Sequence, residues 1–112
     1  MDSQLSFLPP DLAARSASTR EIVLPYEDAF RALEYITAGG HRVLGWEGWL
    51  VYRDGRTGHS ALYQGTTDLS GLSPERAVEM CKATMGGAHI MESASPEHPE
   101  ATLQFCISVA TA

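Results

Sequence analysis

Apolar and polar residues alternate most clearly within residues 43–65, where two extended segments flank a turn. The first segment reads VLGWEGWLVY and contains both tryptophans of the chain, and the second reads HSALYQG. Asp54 and Gly55 lie between them, and both residue types accept the positive φ angles of a two-residue hairpin turn. The pattern therefore predicts a β-hairpin as the central element of the fold, with a positive φ at Gly55.

The length of the turn determines which side chains of the hairpin share a face. A two-residue turn places Leu50 opposite His59, and side chains then alternate between the two faces. The face predicted to join the core carries Leu44, Trp46, Leu50, Tyr52, Ala61 and Tyr63. The opposite, mixed face carries Val43, Glu47, Trp49, Val51, Arg53, Ser60, Leu62 and Gln64. A three-residue loop with a bulge is the alternative turn, and it shifts the pairing by one residue.

The segments around the hairpin predict two more strands and two helices. Residues 20–24 are rich in β-forming side chains, and residues 102–110 alternate between apolar and polar side chains. A first helix begins at Pro25, because proline suits the first helical position, and it ends at the glycines 39–40. A second helix begins at residues 73–75, which combine a capping hydroxyl with a proline at the first position.

The remaining segments predict loops and one domain boundary. The glycines 86–87 weaken the second helix and are a candidate for its end. Residues 91–100 contain two prolines and predict a polar loop, and residues 66–72 predict a connection. Residues 1–19 predict an irregular N-terminal arm, and residues 20–112 predict a single domain.

The predicted elements follow the order β-α-β-β-α-β, which defines an α+β fold. We expect a four-stranded, mostly antiparallel sheet with two helices on one face, because each amphipathic helix must bury its apolar side against the sheet. The ferredoxin-like split βαβ is one arrangement with this order of elements. Two helices on one face leave the other face of the sheet open, in agreement with the mixed face of the hairpin.

Charge and composition restrict the class of partner. The 112 residues carry a net charge of −6 with a pI near 5.0, which argues against a nucleic-acid partner and is compatible with a basic protein partner. No apolar run is long enough to span a membrane, and the N-terminus lacks the features of a signal peptide. Cys81 and Cys106 lack a CxxC spacing and are expected to be free thiols in a cytoplasmic protein.

No pattern of residues predicts catalysis, a cofactor or a metal. The two-residue turn places Glu47 and His59 on opposite faces, and the chain contains no HxH or HxxxH pair, so no zinc site is predicted. His59 cannot act as a base for Ser60, because neighbouring strand residues point to opposite faces. The glycines of the hairpin lack the spacing of a phosphate-binding loop. The chain is therefore predicted not to be an enzyme.

The mixed face of the hairpin is the candidate for partner binding. Trp49 stands there with aliphatic neighbours and a polar rim, which is the composition of binding hot spots. The predicted partner-binding residues are Glu47, Trp49, Val51, Arg53, Ser60, Leu62 and Gln64. From the sequence alone, Trp49 is either exposed or covered by the N-terminal arm.

The stretch WEGWLVYRDGRTGHSALYQGTTDLSGLSPERA and the acidic balance resemble the immunity proteins of bacterial polymorphic-toxin and contact-dependent inhibition systems. The resemblance covers the chain from Arg20 onward. It implies an inhibitor that binds a cognate toxin, often a nuclease, and blocks its active site. No functional residues of that family are transferred to this chain by a motif.

Two alternatives remain open at the level of the sequence. The first is an enzyme or small-ligand-binding domain with a pocket on the open sheet face, lined by Glu47, Trp49 and Ser60. The second is a structural or assembly subunit that forms a homodimer through the same face.

Overall fold

The computed structural model describes residues 4–65 and 69–110, which form a four-stranded antiparallel sheet packed against helices. The strands are β1 (Ile22–Leu24), β2 (Val43–Tyr52), β3 (Thr57–His59) and β4 (Ala101–Val109). The helices are α1 (Pro10–Ala13), α2 (Tyr26–Ala38) and α3 (Pro74–Ala94), preceded by a 3-10 turn at Gln4–Phe7. The predicted α+β fold is confirmed. Of the predicted connection at residues 66–72, residues 66–68 lie outside the described residues.

The strand order is β1-β4-β2-β3, and each neighbouring pair is antiparallel. Strand β4 lies between β1 and β2, which therefore run parallel to each other and are joined through α2, giving a split βαβ unit. The last strand occupies the interior of the sheet and the first strand an edge. In the ferredoxin-like arrangement the first strand lies in the interior. This protein therefore shares the order of elements along the chain with that arrangement but has a different order of strands in its sheet.

The core lies between the helices and one face of the sheet. The fully buried side chains of α2 are Ala29, Ala32, Leu33 and Ile36, and those of α3 include Ala77, Cys81 and Met85. From the sheet, Phe105 and Ile107 of β4 contribute to the same cluster. Each large apolar side chain buried in this way stabilises the fold by about 1.5–3 kcal/mol relative to its exposed state.

Trp46 belongs to this core, as predicted. Only 7% of the residue is exposed. Its ring meets the Phe105 ring edge to face at 5.1 Å, and its indole Nε1 donates a hydrogen bond of 2.9 Å to Thr84 Oγ1 on α3. This hydrogen bond offsets the cost of removing the indole N–H from water. Trp46 therefore links the sheet to α3.

The start of α3 is as predicted, but its end is not. Ser73 Oγ accepts a hydrogen bond of 3.2 Å from Arg76 N, which caps the helix. The helix then continues through Gly86 and Gly87 to Ala94, so the predicted polar loop is shorter than residues 91–100. Tertiary packing against the sheet and α2 outweighs the weak helix propensity of two glycines.

The N-terminal arm was predicted to be irregular, and this is wrong for much of it. Besides the 3-10 turn and α1, it contributes Leu8 and Leu12 to the core. The side chain of Gln4 pairs with the backbone of Val109, accepting a hydrogen bond of 2.6 Å and donating one of 3.2 Å. The arm therefore packs against the end of β4 and completes the core.

The hairpin turn differs from the predicted two-residue turn. The paired residues are Trp49 with His59, Leu50 with Gly58 and Val51 with Thr57, one residue out of the predicted register. Tyr52 N bonds to Arg56 O at 2.9 Å, so the loop contains three residues. Gly55 has the predicted positive φ, at 91°. Asp54 favours this turn, because its carboxylate accepts hydrogen bonds from both the backbone and the side chain of Arg56.

The register shift moves His59 from the predicted core side to the open face, and β3 ends there. Ser60 N still bonds to Gly48 O at 2.9 Å, and Gly48 N bonds to Tyr63 O at 2.8 Å. Ala61 lies between these contacts and is exposed, so its predicted place in the core is wrong. Tyr63 returns to the core, where 9% of it is exposed.

The predicted faces are also exchanged at the beginning of β2. The pairing of β2 with β4 shifts by one residue between Val43 and Gly45. Val43 is therefore buried opposite Val109, and Leu44 is exposed, the reverse of the prediction. A β-bulge has this effect, because its one extra residue exchanges the faces to which the side chains on one side of the bulge point.

Candidate protein-binding surface

Three side chains contact each other on the sheet face that the helices leave open: Glu47, Trp49 and His59. Trp49 Nε1 donates a hydrogen bond of 3.2 Å to Glu47 Oε1. The His59 ring meets the Trp49 ring edge to face, with 5.6 Å between centroids, and its Nδ1 lies 3.6 Å from Glu47 Oε2. We refer to these three residues as the Trp49 cluster.

The hairpin geometry assembles the Trp49 cluster. Glu47 and Trp49 are two residues apart on β2 and therefore point to the same face. The three-residue loop then places His59 directly opposite Trp49. The sequence prediction found Glu47 and Trp49 but assigned His59 to the core, because it used the shorter turn. The sequence does contain a signal for His59, namely the alternative three-residue loop. That loop shifts the register by one residue and places His59 on the open face.

The cluster orients the indole ring more than it stabilises the fold. Trp49 is half-buried and lies outside the main core, while the side chains of His59 and Glu47 are 72% and 46% exposed. On an exposed surface such a contact contributes at most about 0–1 kcal/mol, even where it is a full ion pair. However, an aromatic side chain already held in one orientation loses less conformational entropy on binding. The cluster is therefore suited to contact another molecule.

The sheet face beside the Trp49 cluster is closed toward β1. Cys106 lies opposite Glu47 in the β4 register and is 5% exposed, and Val23 next to it is fully buried. Burial raises the pKa of the Cys106 thiol to about 12, and the carboxylates of Glu21 and Glu47 add to the effect. Such a thiol is protonated and unreactive at neutral pH.

Gln104 of β4 lies opposite Trp49 and carries an unmatched polar atom. Among the described residues, its Oε1 is buried and accepts no hydrogen bond. An unsatisfied buried acceptor costs about 1–3 kcal/mol. The centre of the open face therefore combines an oriented aromatic ring with a carboxamide whose oxygen lies beneath the surface and is not accessible to a partner.

The structure brings together only some of the predicted partner-binding residues. Glu47, Trp49 and Val51 share the open face along β2. Arg53 is exposed in the hairpin turn, near the far end of the same strand. Ser60 is buried, with 3% exposure, so it is not available as a surface contact. The last two, Leu62 and Gln64, are exposed in the segment after β3, which still contacts β2 through the hydrogen bond from Gly48 N to Tyr63 O.

Ser60 has a structural role that the sequence prediction missed. Its hydroxyl donates a hydrogen bond of 2.6 Å to Glu97 Oε1, and Ala61 N donates one of 2.9 Å to Glu97 Oε2. Partial burial acts to raise the pKa of Glu97, but the hydrogen bonds from Ser60 and Ala61 outweigh it and hold this pKa below its usual value. The carboxylate therefore ties the segment after β3 to the loop after α3.

Burial of Ser60 also argues against the alternative pocket on the open sheet face, for which Glu47, Trp49 and Ser60 were the expected lining. Glu47 and Trp49 lie on the open face, whereas Ser60 is turned into the contact with Glu97, so the three residues do not line one cavity. Within residues 4–65 and 69–110, no group of three or more His, Cys, Asp or Glu side chains is arranged to hold a metal ion. The Glu47–His59 pair thus lacks a third ligand among the described residues.

Comparison of the chain with protein-family models, curated proteins and solved structures finds no match. In the part of the chain that the structure describes, no helix is both long and apolar enough to cross a membrane. Function therefore has to be inferred from the geometry and charge of the surface itself.

Proposed function

We propose that the protein is a small protein-binding inhibitor of the immunity type, which masks the active site of a cognate bacterial toxin domain. Its contact surface is the open sheet face, with the Trp49 cluster at the centre. The observation that carries the proposal is the half-buried indole of Trp49, which is held by Glu47 and His59 and lies outside the core. Aromatic side chains in this setting are the residues that dominate protein interfaces.

The charge of the protein supports a basic partner. The net charge is −6, and Glu47 presents a carboxylate within the Trp49 cluster, with Glu21 close to Cys106 beside it. Opposite charges accelerate encounter and exclude wrong partners. A toxin domain that acts on nucleic acid carries a basic active site, and an acidic surface with an aromatic centre is complementary to such a site.

Location in the cytoplasm of a bacterium belongs to the same proposal. An inhibitor that protects its own cell must meet the toxin where the toxin acts. The two cysteines support this location, because both are free thiols in the structure and neither has a partner for a disulfide.

The proposal is tested by co-expression with a toxin domain encoded beside the gene. Wild-type protein is expected to restore the growth of cells that express the toxin. Trp49→Ala is expected to lose protection, because truncating the central aromatic of an interface costs about 2 kcal/mol or more of binding free energy. Equal protection by wild type and Trp49→Ala would show that the open face is not the contact surface.

Glu47→Gln separates the charge of Glu47 from its role in orienting Trp49. Glutamine keeps an oxygen that can accept the indole N–H but has no negative charge. We expect a slower association with the toxin and a weaker dependence on salt, with little change in thermal stability. Arg31→Gln is the matched control, because it removes a charge of the opposite sign from an exposed position of α2, away from the open face. It is expected to leave association unchanged or to accelerate it.

A further inference from the structure

Helix α3 exposes a continuous uncharged stripe, which lies on the side away from the core except at its border, where Thr84 accepts the hydrogen bond from Trp46. Its members recur every three or four residues, so they lie on one side of the helix. We define the α3 stripe as Met80, Ala83, Thr84, Gly87, Ile90, Met91 and Ala94, all of which are exposed. Ile90 and Met91 are 70% and 64% exposed, and such values are unusual for apolar side chains that border one another.

Gly87 lies at the centre of the stripe and has no role in the packing of the protomer. A Cβ atom added at Gly87 would meet nothing within 4 Å, whereas one at Gly86 would lie 3.2 Å from the Tyr26 hydroxyl. The packing of α3 against α2 therefore accounts for Gly86 and not for Gly87. Glycine in a helix interior is unfavourable, and a close approach by a second helix gives Gly87 a reason to be there.

We propose that the α3 stripe is the interface of a homodimer, in which two α3 helices pack antiparallel about a two-fold axis at Gly87. In this arrangement each large residue of the stripe meets a small one of the second copy. Met80 faces Ala94, Met91 faces Ala83, and Ile90 faces Thr84, while the two Gly87 residues meet at the axis. Alternation of large and small side chains is what allows two helices to interdigitate.

Charge supports a second copy as the occupant and sets the orientation of the helices. Two chains that each carry a net charge of −6 repel one another, and a contact surface without charge avoids adding like-charge pairs at the interface. The last turn of α3 contains no basic residue, so the negative end of its dipole has no compensating side chain in that turn. Arg76 is exposed near the other end of the stripe, and an antiparallel pair brings Arg76 of the second copy toward that end.

The size of the α3 stripe sets the strength of the dimer. Met80 to Ala94 covers about 21 Å of helix at a rise of 1.5 Å per residue. One pair of helices of this length buries less than the roughly 800 Å² per partner of a standard interface. We therefore expect a reversible dimer with a Kd on the order of 10–100 µM. The helices lie on the face of the sheet opposite the Trp49 cluster, so both contact surfaces of the dimer remain free.

Sedimentation equilibrium of the full chain tests the dimer over about 5–500 µM protein. Wild type is expected to pass from the monomer mass of 12.1 kDa toward twice that value. Gly87→Lys places two like charges at the axis and is expected to weaken the dimer at least about tenfold. Ile90→Lys is a second disruption that leaves the backbone of Gly87 unchanged. Ser93→Lys adds the same charge to an exposed position of α3 outside the stripe and should shift Kd by no more than about twofold.

Loss of the fold does not account for the expected result, because a side chain at Gly87 has open space around it. Circular dichroism of dilute Gly87→Lys is expected to show a folded monomer. A wild-type protein that remains monomeric at every concentration would overturn the proposal. So would a dimer that both lysine variants leave intact and that Trp49→Ala dissociates, because that dimer would form through the open sheet face.

Discussion

At the scale of single residues, the backbone of Gly55 sets the geometry of the hairpin. Its φ of 91° lies in the left-handed region, and a Cβ added there would meet nothing within 4 Å. Gly55→Ala is therefore a test of conformation alone, without steric overlap. We expect it to lower the free energy of unfolding by about 1 kcal/mol or more, since that region is unfavourable for residues with a Cβ. Urea unfolding measures the change.

Gly58→Ala is the matched control for Gly55→Ala. Gly58 also has open space around a Cβ, but it lies in β3 without a positive φ. Alanine there reduces the entropy of the unfolded chain and is expected to leave stability unchanged or raise it by up to about 1 kcal/mol. If the two alanine variants have the same urea midpoint, the three-residue loop has been assigned to the wrong residues.

Burial of the two thiols makes a prediction about reactivity. Cys81 is fully buried, with a pKa raised by burial to about 11, and Cys106 is 5% exposed, with a pKa of about 12. Both should resist a thiol reagent in the native protein, and two thiols should titrate after denaturation without a reductant. Detection of no thiols in the denatured chain would contradict a reducing compartment.

The raised pKa of each thiol also determines how stability depends on pH. Cysteine in an unfolded chain ionises near pH 8.5. Above this pH the unfolded state loses protons that the folded state keeps, so the contribution of the thiols is complete below about pH 8.5 and is lost as the pH rises toward 11. Between about pH 8.5 and 10.5, the free energy of unfolding should fall less steeply with pH in Cys106→Ala than in wild type. An unchanged slope would show that the fold does not protect Cys106 from ionisation.

At the scale of elements, the Glu97 carboxylate joins two loops that flank the core. Glu97→Gln replaces a charged acceptor of two hydrogen bonds and is expected to lower the free energy of unfolding by about 1–2 kcal/mol. Since the pKa of Glu97 is lowered in the fold, its contribution is present above about pH 4.5 and is lost as the pH falls through the folded-state value. Urea unfolding at pH 7 and in acid measures both effects.

Glu100→Gln is the control for Glu97→Gln. Glu100 is exposed in the same loop, and its substitution should change stability by no more than about 0.5 kcal/mol. Equal losses in the two glutamine variants would mean that the contact with Ser60 is not what stabilises the segment after β3.

The elements show which sequence signals determine structure on their own. Helix α2 was predictable to within one residue, since Pro25 is its N-cap and not its first helical residue, and so was the start of α3, because proline, capping hydroxyls and glycine act within one turn of chain. The end of α3 was not, because it depends on contacts such as that of Gly86 with Tyr26, which come from distant positions. The hairpin was predictable as an element, but its register depended on the hydrogen bonds between Asp54 and Arg56.

At the scale of the whole molecule, the two tryptophans of β2 separate the core from the surface. Trp46 and Trp49 are three residues apart, so alternation along the strand was enough to predict that they point to opposite faces. The role of His59 in the Trp49 cluster and the burial of Ser60 could not be predicted in the same way. The position of His59 depends on the length of the hairpin loop, and the burial of Ser60 depends on Glu97 of a distant loop, which accepts a hydrogen bond from its hydroxyl.

The two proposed contact surfaces lie on opposite sides of the sheet. The helices carry the α3 stripe, and the open face of the sheet carries the Trp49 cluster, so dimer formation and partner binding use opposite sides. Gly87→Lys is accordingly expected to weaken the dimer and to keep protection against the toxin. Trp49→Ala is expected to do the reverse.

The most direct test of the proposed function is the affinity for the toxin domain, measured by calorimetry together with thermal unfolding for both tryptophan variants. Trp49→Ala should weaken binding by about 2 kcal/mol or more, about thirtyfold, while remaining close to wild type in stability. Trp46→Ala empties a site in the core and should lower the free energy of unfolding by about 3–5 kcal/mol. The account is contradicted if Trp49→Ala binds as tightly as wild type, or if it unfolds as readily as Trp46→Ala.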